Sequence, residues 1–412
     1  MVLYHLAFFC IDFFLLYYAL KRYPVTVKRF LETVGIGIIL MILTVVVLVL
    51  CYGGSIYVKY IKEKAPLLGT IFEYVYINRL TEGLFWHGGG CLLVLALILG
   101  LRKLKPDQKR QFFLPLFAAL IGGLILTIGY RAMIVEPNNI QIVHHRLVSS
   151  KITKPMRIAF VADIQTDNIG EHERRTLSLL KSQNADLILF GGDYIQPRNV
   201  KHEEKLLAEF NQLFRDAQLN PPLGMYAVRG NLDTGTRSSF RKYFEGSLVL
   251  PVINMVSCDI GEIRLTLLDV NRSFWPFRER DENPEGKFHV ILGHAPCFAM
   301  GEVKAELLLA GHTHGGQVQI PGYGPLFIAA PGVPRLYGTG KTVLPNGSTL
   351  IVSHGTGMER GRAPRVRLFC PPQLIVIDLE PEHEHEPVVT PMTHLALTLR
   401  ELPFRPVRKQ VF

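Results

Sequence analysis

Sulfur chemistry is the first thing this sequence does without. Its six cysteines include no Cys-x-x-Cys pair and no regular spacing, which removes thiolate metal clusters and a disulfide framework. Cys10, Cys51 and Cys91 fall in apolar runs; Cys258, Cys297 and Cys370 are scattered, and Cys297 is expected to be a small buried thiol. Charge is also sparse, at 19 % of residues, and the mean hydropathy of +0.21 is high for a wholly soluble chain. The net charge of +10 comes without a basic stripe interleaved with aromatics, so it is not a nucleic-acid footprint. The apolar runs contain few ionisable residues, Asp12 being the clear one and near an end, which argues against a transporter. The first run has no basic start and no small-residue cleavage site, so it reads as a span and not as a cleavable leader.

Long apolar runs are what the first third does have, at 8–20, 34–52, 88–101 and 112–130. The second and fourth are long enough to cross a bilayer unaided, and the first and third need their flanks. Between them, 67–86 contains Glu73, Arg79 and Glu82; an interfacial amphipathic helix is expected there, with a fifth span as the alternative. Residues 1–135 hold 14 Lys/Arg against 6 Asp/Glu, concentrated in the loops after the first and third runs. The positive-inside rule then makes those loops cytoplasmic. Four spans put residues 136–412 outside the cytoplasm. The expectation is a multi-pass protein of the cell membrane, with the lipid bilayer as a partner and attraction to anionic lipid.

From residue 136 the texture changes. "IQIVHHRLVS" reads as a strand, "MRIAFVAD" as a buried strand, 171–184 as a helix, "ADLILFGGD" as a second buried strand and 203–217 as an amphipathic helix. "GMYAVRGNLD", "LTLLDV", "HVILGHAP" and "AELLLAGHTHGGQ" follow. Alternating strands and helices indicate an α/β layered domain over 136–380, whose ligands gather at the carboxyl ends of strands. Residues 381–412, including "PEHEHEP", read as a solvated tail. The strand ends carry Asp163 with Gln165, Asp193, Asn231, His294, and His312 with His314. Oxygen and imidazole donors without thiolate suit Mn, Fe, Zn or Mg, Mn placed first. They outnumber the needs of one ion, and two divalent metal ions sharing a carboxylate would use them all.

The series "VADIQTD", "GGD", "GNLD", "GHAP", "GHTHGGQ" resembles the calcineurin-like metallophosphoesterases over about residues 155–380. The tail "STLIVSHGTGMERGRAPRVRLFCPPQLIVIDL" is similar to the bacterial membrane-associated branch, which includes phosphodiesterases and UDP-2,3-diacylglucosamine diphosphatases. The resemblance implies a β-sandwich flanked by helices. Asp163, Gln165, Asp193 and His314 would hold one ion, and Asp193, Asn231, His294 and His312 the other, with Asp193 bridging. A metal-bridging hydroxide would then attack phosphorus in line. Asp193, Asn231 and Asp233 are the expected catalytic residues, with Asp233 orienting Asn231 or a metal-bound water; a structural loop role for Asp233 is the alternative.

Two positions depart from the family pattern. Gln165 stands where His is usual, and Leu232 replaces the His that touches phosphate and assists the leaving group. Either the site binds metal without useful turnover, as a sensor or scaffold, or its substrate has a leaving group that needs no proton. The second reading leads to a phosphorylated lipid-like or nucleotide-diphospho-lipid substrate. "RSFWPFRER" (272–280) is a candidate lip, with Arg272, Arg278 and Arg280 at phosphate; an exposed loop with one aromatic packed inward is the alternative.

Overall fold

The computed structural model describes residues 79–101, 113–197, 200–233, 237–278, 286–359 and 363–382. The apolar runs at 8–20 and 34–52 and the tail from 383 lie outside the described residues. The helical pieces Arg79–Glu82, Gly83–Gly88 and Gly89–Leu101 run on as one segment, α1. Residues 79–86, expected in an interfacial helix, thus belong to the same helix as the third apolar run. Gly89 in this helix is where its neighbour approaches. That neighbour, α2, is Phe113–Tyr130, continuing through Arg131–Val135 and Glu136–Asn138. A Cβ on Gly89 would press on Leu126 and the Gly122 carbonyl, and one on Gly129 on Phe85. Small residues allow this close antiparallel approach. Among the described residues one helix, Pro115–Asn138, is long and apolar enough to cross a membrane; its 24 residues span about 36 Å at 1.5 Å per residue. Leu116, Phe117, Leu120 and Leu124 on α2 face outward.

The domain beyond is a sandwich of two mixed six-stranded sheets. The first contains β1 (Gln141–Ser149), β2 (Met156–Val161), β3 (Leu187–Phe190), β4 (Met225–Val228), β5 (Val249–Val252) and β14 (Gln373–Pro381), in the order β1-β14-β2-β3-β4-β5. The second contains β6 (Val256–Ile260), β7 (Ile263–Leu267), β8 (Phe288–Leu292), β9 (Leu307–Ala310), β12 (Gly340–Val343) and β13 (Thr349–Val352), in the order β12-β13-β9-β8-β7-β6. A hairpin of β10 (Gln319–Ile320) and β11 (Gly324–Pro325) stands apart. The strands read as apolar runs bear this architecture out, and the final strand follows Pro371-Pro372. What the pattern did not show is that β14 returns to lie antiparallel to β2 and parallel to β1.

Alternation decides the layering. Ile158 and Phe160 of β2 point into the core between the sheets, with Leu189, Leu265, Leu292, Leu309 and Ile375. Ala159 and Val161 point the other way, toward helices α3 (Glu171–Ser182) and α4 (Val200–Ala217). Burial on both faces is why these strands are continuous apolar runs instead of alternating ones. The helix side holds an edge-to-face aromatic cluster of Phe190, Tyr194, Phe210, Phe214 and Phe244. In-register parallel pairs, such as Val161 with Phe190 and Leu292 with Leu309, bring the carboxyl ends of β2, β3, β4, β8 and β9 to one edge of the sandwich.

Candidate active site

The site is built from chain reversals at those strand ends. Asp163, Gln165, Asp193, His312 and His314 all have positive φ, between 40° and 69°. Such backbone is uncommon for non-glycine residues and costs on the order of 1–3 kcal/mol each. Backbone bonds lock the reversals together: Asp163 N–H to Gly192 O (3.0 Å), Gln165 N–H to Asp193 O (2.8 Å) and Gly311 N–H to His294 O (2.8 Å). Two glycines are there for space alone. A Cβ on Gly230 would run into the Asp193 carboxylate, and one on Gly311 into that of Asp163.

Asp193, His294 and His312 place their ligand atoms within 4.8 Å of one another. The His294 Nδ1–H donates to Gly191 O (2.8 Å), and Nε2–H faces Asn231 Oδ1 (3.0 Å) and Asp193 Oδ2 (3.4 Å), so that Nε2 is the nitrogen an ion would claim in place of that proton. His312 Nε2–H donates to Ala329 O (2.9 Å), leaving its Nδ1 for the site. Asp163 accepts from His312 N–H at both oxygens (3.1 and 2.9 Å). Among the described residues, Gln165 Oε1 and His314 Nδ1 are buried without a protein partner. The amide of Gln165 has only one sensible orientation, because its NH2 donates to Glu359 Oε2 (3.0 Å) and Gln196 Oε1 (3.2 Å). Its carbonyl oxygen is thereby the atom left for a ligand.

Electrostatics fit a cation. Burial raises Asp163 to about 8, and Asp193 adds to this while His294 opposes it. Burial also pushes Asp193 upward, but the His294 charge and hydrogen bond outweigh it and leave the carboxyl below its ordinary value. For His294, burial favours the neutral ring, yet Asp193 and Asp163 together lift it to about 9. With protein charges alone, these carboxylates need a positive partner, which a divalent ion supplies. Burial lowers His312 to about 4 and, with the Arg367 charge, His314 to about 3, so both rings are neutral donors. Cys370, beneath the site, is raised to about 11 by burial and donates its Sγ–H to His314 O (3.3 Å), so it stays a thiol. The donor set is therefore N/O only, which suits the divalent metals of hydrolytic sites.

Two expected roles need revision. Asp233 is buried and spends its oxygens on the N–H groups of Asp193 (2.8 Å), Tyr194 (3.0 Å) and Gly230 (2.7 Å). It is a positioning residue that clamps the Asp193 loop, not a group facing the reaction. In 272–280, Arg272 pairs with Asp269 and Arg278 with Glu302 (2.6 Å), so neither is held ready for phosphate; Arg280 lies outside the described residues. Phe274 packs against His312 with ring centroids 4.8 Å apart, Phe277 is buried and Trp275 is exposed. Leu232 contributes only its backbone N–H, to Asp193 Oδ1 (2.8 Å). Cys297 is buried as expected.

Sequence reasoning missed Glu359 and Arg367. Glu359 accepts from Gln165 and from Gln196 Nε2 (3.1 Å), and its N–H donates to Gln317 Oε1 (2.9 Å). Its only signal was being the sole acidic residue between Glu306 and Asp378. Arg367 is wholly buried and donates to the carbonyls of Cys370 (2.9 Å), His354 (2.7 Å) and Gly357. It thereby fixes the loop whose Gly357 N–H meets Asp163 O (2.7 Å). Its own N–H donates to Ala132 O of α2 (2.8 Å), and Glu136 accepts from Cys370 N–H. The end of the apolar helix is thus bonded to the floor of the site.

Residues 156–316 match the family model of calcineurin-like phosphoesterases. The chain is similar to the metallophosphoesterase YkuE of Bacillus subtilis, at 29% identity over 303 residues, which is 67% of this chain and 99% of that protein. YkoQ of the same organism matches at 28% over 41% of this chain and 64% of its own length. A metallophosphoesterase of Aquifex aeolicus matches at 28%, covering 48% and 74%. Among solved structures, a dimetal phosphatase from Danio rerio aligns at 12% identity over 49% of this chain and 88% of its own, with a TM-score of 0.33. The phosphoesterase YfcE of E. coli aligns at 15% over 50% and 83%, with a TM-score of 0.24. Residues 156–316 are thus similar to the calcineurin-like phosphoesterases, and the chain is a metal-dependent hydrolase.

Proposed function

We propose that the chain is a membrane-anchored phosphohydrolase that holds two divalent ions and prefers pyrophosphate-linked, lipid-bearing substrates. The observation that carries the metal chemistry is the set of N/O donors left without protein partners around Asp193, His294 and His312. Asp163, Gln165, Asp193 and His314 suit one ion, and Asp193, Asn231, His294 and His312 the other, with manganese the first metal to try. Bound ions would activate water and offset charge on the phosphoryl oxygens.

The chain's own residues do the rest. Asp233 and Gly230 hold the Asp193 loop, Glu359 turns the Gln165 carbonyl inward, and Phe274 walls the His312 ring with apolar surface. Leu232 supplies no proton to a departing oxygen. A phosphate leaving group needs none, whereas an alkoxide does, and losing a general acid costs about 10²–10⁴-fold where one is needed. Membrane attachment is supported by the apolar helix Pro115–Asn138 and by the three other apolar runs of the sequence; the basic loops support a domain outside the cytoplasm.

Leu232 also motivates a second reading, a metal-binding module with little turnover. Purified protein loaded with Mn, Zn or Mg, assayed on an alkyl phosphomonoester, a phosphodiester and a pyrophosphate panel, separates the two. Preference for pyrophosphates, with Leu232→His raising alkyl-monoester activity far more than pyrophosphate activity, is the expected result. Equal stimulation of both classes would overturn the leaving-group reading, and metal binding without turnover on any of them would favour the second.

A further inference from the structure

Phe369 is a bulky residue at φ +53°, and its ring is 45% exposed. A strained backbone that holds an aromatic outward calls for a partner on that side. The Arg131 guanidinium of α2 lies over the ring, 5.1 Å from its centroid. Beside it the β10–β11 hairpin, Leu336 and Phe369 line a groove of about 290 Å³. Ile320, Tyr323, Leu326 and Leu336 are each about half exposed. Arg335 stacks on Tyr323 at 3.9 Å and donates to the carbonyls of Tyr323 and Pro325. The sequence around them has no Asp or Glu between Glu306 and Glu359, while Arg335 and Lys341 fall inside that stretch.

The patch is continuous with the apolar helix. Exposed Tyr130, Ile134 and Val135 end that helix, and Arg367 N–H and Cys370 N–H, flanking Phe369, bond to Ala132 and Glu136. Aromatic and aliphatic side chains edged by Arg335 and by Arg131, whose guanidinium also pairs with Glu136 (3.1 Å), match the headgroup zone of an anionic bilayer. The same segment also walls the metal site, through Ala329 O to His312 and through Phe327 O, which would strike any Cβ on Gly316.

We propose that the hairpin, Leu336 and Phe369 form a lip seated in the headgroup region of an anionic phospholipid bilayer, so that a lipid headgroup reaches the ions while its acyl chains stay in the membrane. This rests on the membrane-anchored reading. It is tested on the full chain in vesicles of phosphatidylcholine and phosphatidylglycerol. The two tryptophans are replaced (Trp86→Phe, Trp275→Phe), and one is restored by Ile320→Trp or, separately, Tyr323→Trp. Leu248→Trp, exposed before β5 at the opposite edge of the first sheet, is the control. Quenching by bromine-labelled lipid and a blue-shifted emission at 320 and 323, but not at 248, is expected. Emission at 320 and 323 as unquenched as at 248, in protein that floats with vesicles and resists alkaline carbonate, would overturn the lip and leave the anchor standing. Protein that does not float would overturn both. Shielding that follows the protein-to-lipid ratio and ignores the bromine would make the patch an interface between copies, which also overturns the lip.

Discussion

Replacing Glu359 by glutamine exchanges one acceptor oxygen for an NH2 and should undo the orientation of Gln165. In the native site the Glu359 oxygens accept from Gln165 Nε2 (3.0 Å) and Gln196 Nε2 (3.1 Å). In Glu359→Gln one of those two donors must face another donor. A hydrogen bond to a charged partner contributes about 1.5–3 kcal/mol, which is about 10–150-fold in an equilibrium constant at 1.4 kcal/mol per decade. Released from Glu359, the Gln165 amide can rotate and present nitrogen where its oxygen now points, and nitrogen of an amide is no ligand. Outer partners of metal ligands typically contribute 10–100-fold in affinity, so both estimates place the loss near 10–100-fold for the ion that Gln165 holds. Calorimetric titration of detergent-solubilised protein with Mn would show it, with thermal melting as the check that the fold persists. Because Glu359 acts through Gln165, the double variant with Gln165→Ala should bind no more weakly than Gln165→Ala alone. Unchanged affinity in Glu359→Gln, or additive losses in the double variant, would refute the reasoning.

Asp193→Ala should remove both ions, since it is the proposed bridge, whereas Gln165→Ala should loosen mainly one; elemental analysis of purified protein decides, and an unchanged metal content in Asp193→Ala would sink the shared-carboxylate arrangement. The His294 ring is lifted from its ordinary 6.5 to about 9, so in chelator-treated protein the stability it contributes is complete below about pH 6.5 and lost as pH rises through 9. Ion uptake at pH 7 must therefore displace a proton, and titration in buffers of different ionisation enthalpy should count it; no proton release would contradict the geometry at Nε2. Arg367→Met leaves the His354, Gly357 and Cys370 carbonyls without their buried donor, and at about 1–3 kcal/mol per orphaned group it should lower the melting temperature markedly and weaken metal binding through the Asp163 loop. A variant that melts and binds like the native protein would show that the loop stands without it.

The sequence by itself determined the sandwich strands and the polar residues that close them. Asp163, Asp193, Asn231, His294 and the His312/His314 pair were legible because each closes an apolar run short enough to be a buried strand, and strand ends in such layers are where polar side chains gather. The apolar runs of the first third were legible for the same reason, that burial selects composition. Other features depend on contacts between residues far apart in the chain, which no local pattern encodes. Asp233 reads from its motif either as a residue orienting Asn231 or a metal-bound water or as a loop support, and only the three backbone N–H groups from two loops that claim it decide for the loop. Glu359 carries no motif and becomes meaningful only because the return of β14 beside β2 follows a loop that reaches Gln165, 194 residues earlier in the chain. Residues 79–86 looked too charged to continue a span, and only the structure shows them in one helix with it, Phe85 and Gly89 packing on Gly129 and Leu126 of a second helix. Composition sets what must be buried or ligated, and tertiary structure decides which of the remaining polar groups are spent on the backbone and which are left free for chemistry.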